Sequence, residues 1–380
     1  MSEYQYYEFQ AIDRSLTARE QAALRNYSSR ATITSSRFAV DYSWGDFKGN
    51  AVEWMEKYFD AFLYLANWGT HELMLRLPRS LLPLDTAEKY CAGDFASVRG
   101  KGDHVVLAFR SDDEGGGEWI DEDDDTLASL LPVRAELASG DLRALYIAWL
   151  GCVQAGEVED EDAEPLCPPG LGKMSPALEA FANFLRIDED LIEAAATAST
   201  ELGATDDAAL KVWVAALPEA EKTSLLVRLV GGAEAHLRGE LVRRFRESRA
   251  AEAAAGTTEA RTVGELLKAA KSRAEERRRQ ELERAACKNA RREREATEAR
   301  ERHLTALAKR EAEAWREIDA LIATKQPKKY DEAVTLLRDL RDVCVRGGRL
   351  DEATKRIAHL SEEHAKKPSL IGRFRKAALQ

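Results

Sequence analysis

One stretch limits what this chain can fold into. From Thr257 to Lys325 it contains no proline and a single glycine, Gly264, and is otherwise rich in Ala, Glu, Arg, Lys and Leu, which are strong helix formers. Read as one helix it would extend about 90 to 100 Å, so compact structure must lie before it and a shorter tail after it. Between Lys268 and His303 the only large aliphatic residue is Leu282; the other apolar positions are Ala and Cys287. A durable coiled-coil seam needs apolar residues at successive a and d positions, and these are lacking. Local pairs replace them: Glu275–Arg279 and Glu298–Arg302 at i,i+4, and Arg291–Glu295 in the weaker orientation, each adding a few tenths of a kcal/mol. Apolar residues return at Leu304, Leu307, Trp315, Ile318 and Leu321 at helical spacing, which predicts that this end docks. The expectation is a mostly solvated helix anchored at its C-terminal end, with a weak coiled coil or hairpin and partial disorder as the alternatives.

A chain of 380 residues has room for two or three domains and a substantial core. Its net charge of −11 hides a polarity: residues 1–255 carry 45 acidic and 25 basic side chains, net −20, and residues 256–380 carry 22 and 31, net +9. A basic half is the electrostatic footprint of an acidic partner or nucleic acid, or of association between the two halves. The five cysteines, Cys91, Cys152, Cys167, Cys287 and Cys344, include no C-x-x-C pair, which argues against a disulfide framework. The opening MSEYQYYEFQ lacks the basic and apolar regions of a secretory signal, and no apolar run approaches a membrane span. A cytoplasmic protein with no membrane association is expected.

The fold class expected is mixed and mostly α, in five segments. Residues 1–155 form an α+β domain with acidic loops. Its strands are the alternating Tyr4–Ile12, the stretch ATITSSRFAVDYSWGDF, Leu73–Leu77 ended by Pro78, and HVVLAFR at His104–Arg110. Ser15 or Thr17 caps a helix from Ala18, and a second helix is predicted over Val52–Ala66 from the spacing of Trp54, Met55, Tyr58, Phe59, Phe62 and Leu65. Helical structure follows over Asp125–Cys152. Residues 111–170 hold 17 acidic and 2 basic side chains in two clusters. Asp121, Asp123 and Asp125 alternate, but the turn Gly and the final Glu of an EF-hand loop are replaced by Thr126 and Pro132, so a solvated loop is expected there. The second cluster, Glu157 to Glu164, with Pro165, Pro168 and Pro169 behind it, reads as an exposed linker over 156–174. Residues 175–255 read as a helical domain whose helices start at the caps Ser175 and Asp188. The charged helix takes 256–326.

The tail, 327–380, contains an internal repeat. Tyr330-Asp331-Glu332-Ala333 with Leu337 and Leu340 matches Leu350-Asp351-Glu352-Ala353 with Ile357 and Leu360, at an offset of 20 residues. With Gly348 ahead of it, the second copy resembles half of a tetratricopeptide repeat, which implies a helical hairpin; the offset departs from that family's 34-residue period, so a true array is not implied. The segments YQYYEFQAID, SWGDFKG…YFDAFLYLANWG and Pro-Pro-Gly-Leu-Gly-Lys…SPALEAF together resemble a family of hypothetical bacterial proteins. That resemblance implies no activity and transfers no functional residue.

Phosphate-loop, dinucleotide, serine-elbow and zinc-protease motifs are missing from the sequence, and the six histidines are dispersed, so neither a metal nor a cofactor is expected. The strongest polar cluster is DYSWGDFKG beside NWGTH. It nominates Asp46, Lys48 and His71 as polar ligand contacts, with Trp44 and Trp68 beside them; a β-turn closing the domain edge explains the same residues. The candidates for nucleic acid or an acidic partner are Arg277, Arg278, Arg279, Arg291, Arg292, Arg294, Arg373 and Arg375. Residues 256–326 balance 18 basic groups with 14 acids, so whether the arginines line one side decides that reading. The leading expectation is a non-enzymatic scaffold with a protein partner, its charged helix spacing the N-terminal domain from the tail. The alternatives are a nucleic-acid-associated protein and an enzyme with an N-terminal site.

Overall fold

The computed structural model describes residues 3–113, 125–200, 207–231, 237–254 and 261–379, in two compact units, Met1–Glu276 and Arg277–Gln380. The mixed, mostly helical architecture is as expected, with the strands confined to the first unit.

The first unit is built on a seven-stranded sheet. Its strands are β1 (Gln5–Gln10), β2 (Thr32–Ile33), β3 (Arg37–Tyr42), β4 (Ala61–Ala66), β5 (Thr70–Pro78), β6 (Ala96–Lys101) and β7 (His104–Asp112). They run antiparallel in the order β2-β3-β1-β4-β5-β7-β6. Side chains alternate between the two faces, and each face has its own core. On one face Phe9, Phe38, Phe59 and Phe62 pack with Trp54 and Met55 beneath α1 (Ala18–Arg25) and α2 (Ala51–Lys57). Thr17 starts α1 with a full capping box closed by Glu20. On the other face Leu63, Leu73, Leu75, Leu107 and Phe109 meet a helical layer. That layer contains α4 (Thr126–Ala138), α5 (Arg143–Gln154), α6 (Pro176–Phe184) and α7 (Glu189–Ala196); α3 (Leu84–Glu88) lies before β6. Phe181 of α6 meets Phe109 of β7 edge to face at 5.1 Å, so the stretch from 175 onward shares the sheet's core.

The run Val52–Ala66 is not one helix. It holds α2, a turn at Tyr58–Asp60 and then β4. The central strand β4 has Ala61, Phe62, Leu63 and Leu65 buried, with both faces covered. It therefore lacks the alternation that marks a half-buried strand, and its apolar spacing imitates a helix. At that turn the carboxylate of Asp60, fully buried, accepts from the backbone N–H groups of Ile12 and Asp13 at 2.7 and 2.9 Å. It also takes two bonds from the Arg76 guanidinium, at 3.0 and 2.7 Å.

The acidic stretch 157–164 roots the charged helix, α11 (Val263–Lys309). The first N–H groups of a helix have no partner within it. Here Val263 N–H donates to the Asp162 carbonyl at 3.0 Å and Gly264 N–H to that of Asp160 at 2.9 Å. Glu164 is buried, accepts from the Tyr146 hydroxyl and takes two bonds from Arg261, at 2.6 and 3.0 Å. The side chains of Glu157 and of Glu159 to Asp162 are exposed, as expected, while the Asp160 and Asp162 carbonyls and the Glu164 carboxylate anchor the start of α11. Of the first acidic cluster, Asp121 and Asp123 lie outside the described residues.

The polypeptide then carries α8 (Asp207–Ala216), α9 (Glu219–Val230) and α10 (Leu237–Ala254) before α11. Close approach fixes α10: a Cβ on Gly239 would stand 2.7 Å from the Ala138 carbonyl oxygen, so only glycine lets α10 cross the end of α4. Arg246 adds a bond to the Ser139 carbonyl at 3.0 Å.

The stretch read as one helix is two. The backbone leaves helical geometry at Arg310, and α12 (Glu311–Ala323) begins there. Residues 257–260 lie outside the described residues. Ion pairs sustain a helix without deciding where it stops; burial does. Leu304 and Leu307 at the end of α11, and Trp315, Ile318 and Ile322 of α12, enter one core, so the predicted docking end is observed. That core is centred on α13 (Pro327–Arg346) and completed by α14 (Leu350–Glu363) and α15 (Pro368–Lys376). Each copy of the repeat is one helix, and Ala333, Leu337, Leu340, Ala353, Ile357 and Leu360 are buried, whereas Leu350 is exposed. Arg300 of α11 ties to Asp339 and Asp342 of α13 at 2.5 and 2.7 Å.

Candidate interaction surfaces

The residues nominated around the first sheet face do not converge. Asp46 sits in the loop after β3, where Gly45 adopts a φ of +86°. Its carboxylate lies 2.8 Å from the Tyr7 hydroxyl and accepts from the Phe47 N–H at 2.7 Å. Tyr7 and Tyr64 both reach the Gln5 side-chain oxygen, at 2.7 and 3.0 Å. Burial, reinforced by Asp46, pushes the Tyr7 phenol far above its ordinary range, so it stays neutral. Lys48 and Trp44 are exposed. His71 points to the opposite face of the sheet: it shares the parity of Leu73, stacks on Phe184 at 5.0 Å and has Nδ1 3.0 Å from the Phe184 carbonyl. Its Nε2 faces the Arg186 guanidinium at 3.1 Å, which makes Nε2 the acceptor and Nδ1 the donor. Trp68 donates to Thr70 at 3.1 Å, and Thr70 donates to Asp112 at 2.6 Å. Sequence reading missed the row that register creates, Tyr7–Tyr64–Glu72–Arg110, four residues directly opposite one another on adjacent strands. Burial raises the Glu72 carboxyl above its usual range, Arg110 opposes this and Asp112 adds to it.

The arginines of α11 circle its axis. Successive residues turn by about 100°, so Arg277, Arg278 and Arg279 span about 200°, Arg291, Arg292 and Arg294 span about 160°, and together the six leave no gap wider than about 100°. All six are exposed, and Arg291 pairs with Glu295 at 2.7 Å. In the tail Arg373 pairs with Asp331 at 2.6 Å, while Arg375 is exposed. No pure basic stripe results.

A third surface is the helix α9, which is inverted. The side of α9 toward α10 carries charge: Glu221 pairs with Arg244 at 2.5 Å and Arg228 with Glu240 at 2.7 Å. Its outer side is apolar, with Leu226 61%, Val227 66%, Leu229 65% and Val230 86% exposed. On α8, Trp213 faces inward and meets Phe245 of α10 at 5.7 Å, with the exposed Val212 and Val214 on either side of it. Globular helices normally turn their apolar stripe inward, and a continuous exposed apolar patch marks an interaction site.

The fourth is a shallow cleft of about 420 Å³ in the second unit. It is lined by Leu321 of α12, Thr335 and Leu336 of α13, the carboxylates Glu317, Asp331, Glu332 and Asp339, and His303 of α11. Each carboxylate has a cation close by: Arg310 at 3.4 Å, Arg373 at 2.6 Å, Lys329 at 2.8 Å and Arg300 at 2.5 Å. The Arg373 bond holds the Asp331 carboxyl below its usual range. The first three of these pairs are largely exposed, and such pairs contribute little, so an incoming cation can exchange with them.

Among the described residues, no group of three or more His, Cys, Asp and Glu side chains is placed to hold a metal ion, and no helix is long and apolar enough to cross a membrane. In comparisons with known proteins, no family model, no curated protein and no solved structure matches this chain.

Proposed function

We propose that this chain is a non-enzymatic scaffold whose helical tail takes a basic amphipathic segment of a protein partner, with α11 linking that tail to the sheet-bearing unit. The observation that carries the reading is the α12–α13 cleft, lined by the apolar Leu321 and Leu336 and by the acidic Glu317, Asp331 and Glu332. An amphipathic helix binds by laying apolar anchors in such a groove, and acidic side chains select cationic flanks. The burial of both repeat copies along α13 and α14 supports the tetratricopeptide-like part of the reading. The nucleic-acid alternative draws on the basic charge of residues 256–380, and the spread of the arginines around α11 argues against it.

The test is fluorescence anisotropy of a labelled Lys/Leu amphipathic peptide, its Glu/Leu counterpart, and labelled DNA and RNA, each titrated with the full chain at two salt concentrations. The Lys/Leu peptide should bind, the Glu/Leu peptide should not, and Glu317→Lys with Glu332→Lys should abolish the preference. Equal binding of both peptides, or an effect of neither substitution, rejects the cleft. Salt-sensitive binding of nucleic acid without peptide binding transfers the function to the second reading.

A further inference from the structure

We infer that the outer face of α9 is a self-association surface that pairs with the same face of a second copy of this chain. The inversion of α9 is the first ground. Its inner side is satisfied by two ion pairs with α10, Glu221–Arg244 and Arg228–Glu240, so rolling the helix to bury Leu226 and Val230 would break both. The apolar residues Leu226, Val227, Leu229 and Val230 are held outward by those bonds. Such a face loses water contact only against another apolar surface.

Charge selects the occupant. Residues 1–255 carry a net charge of −20, yet residues 207–231 contain three acids, Asp207, Glu219 and Glu221, and three bases, Lys211, Lys222 and Arg228, net zero. In a two-fold interface the same patch meets itself, so any surplus charge faces its own sign. Within the acidic residues 1–255, a neutral patch is where the same face of a second copy can meet itself without opposing like charges, and this patch is neutral. A basic partner would find no excess of carboxylates here, and an anionic membrane would find no excess of cations. Pairing is independent of the cleft in the second unit and can hold or fail separately from it.

The test is sedimentation equilibrium of the full chain across a wide range of protein concentration. The wild type should rise from the mass of one chain to twice that mass, and Leu226→Asp with Val230→Asp should weaken the association roughly a hundredfold or more. Both side chains already face solvent, so the circular dichroism of the variant, and its thermal unfolding at dilutions where the wild type is a single chain, should match the wild type, which separates lost pairing from lost folding. A second variant, Leu282→Asp on α11, should leave the dimer intact. A wild type that stays at one chain mass throughout overturns the inference. So does a dimer that survives the α9 substitutions, or one that is lost with Leu282→Asp alone.

Discussion

In the sheet sandwich apolar groups face inward, and the buried charge of Asp60 is matched by two backbone donors and the Arg76 guanidinium. In α9 the arrangement is reversed: Glu221 and Arg228 turn toward α10, while Leu226 and Val230 face outward. The same chain thus contains one region whose core is complete and one whose apolar surface remains to be covered. The difference separates residues that stabilise the fold from residues that meet another molecule, and it predicts opposite responses to the same kind of substitution.

The largest effect belongs to the sandwich. Asp60→Ala strands the Arg76 guanidinium at 8% exposure and should lower the urea-unfolding free energy by about 3–5 kcal/mol. Burial alone would raise the Asp60 carboxyl, but the Ile12 and Asp13 N–H groups and Arg76 outweigh it and hold the carboxyl below its ordinary value. A depressed folded value means that its contribution is present above the unfolded value of about 3.9 and is lost as pH falls through the folded one. The stability gap between wild type and Asp60→Ala should therefore stay constant from neutral pH down to about 4 and narrow below it; a gap that narrows on raising the pH would refute the assignment. Glu164→Gln comes next. It removes the charge that holds Arg261 at the start of α11 and should cost about 1–3 kcal/mol, seen as faster amide exchange at Val263 and Gly264. The smallest effect sharpens the contrast: Leu226→Asp should change the stability of the dilute chain by no more than about 0.5 kcal/mol, although it introduces charge at a leucine.

Much of this fold is legible in the sequence where a local rule decides. The alternation of Tyr7 and Phe9 marks β1, and Thr17, Ser175 and Asp188 each cap the helix they precede. What fails is what only tertiary packing decides. Strand β4 is buried on both faces, so its pattern carries no period of two. The spacing of Leu178 and Phe181 marks one buried helical face without naming Phe109 as its neighbour. Asp46 and His71 stand in neighbouring loops of the sequence reading, yet strand parity puts them on opposite sides of the sheet. The stripe through Leu225, Leu226, Leu229 and Val230 looks the same in sequence whether it lines a core or an interface. Only the ion pairs to α10 reveal which side of α9 faces inward.

The most direct test of that inversion is hydrogen–deuterium exchange of the full chain at a low and a high protein concentration, followed peptide by peptide. Amides of α9 should exchange quickly in the dilute sample and gain protection as concentration rises, while those of β1 and β4 stay protected in both. Exchange in α9 that is slow when dilute, or that ignores concentration, would contradict the account.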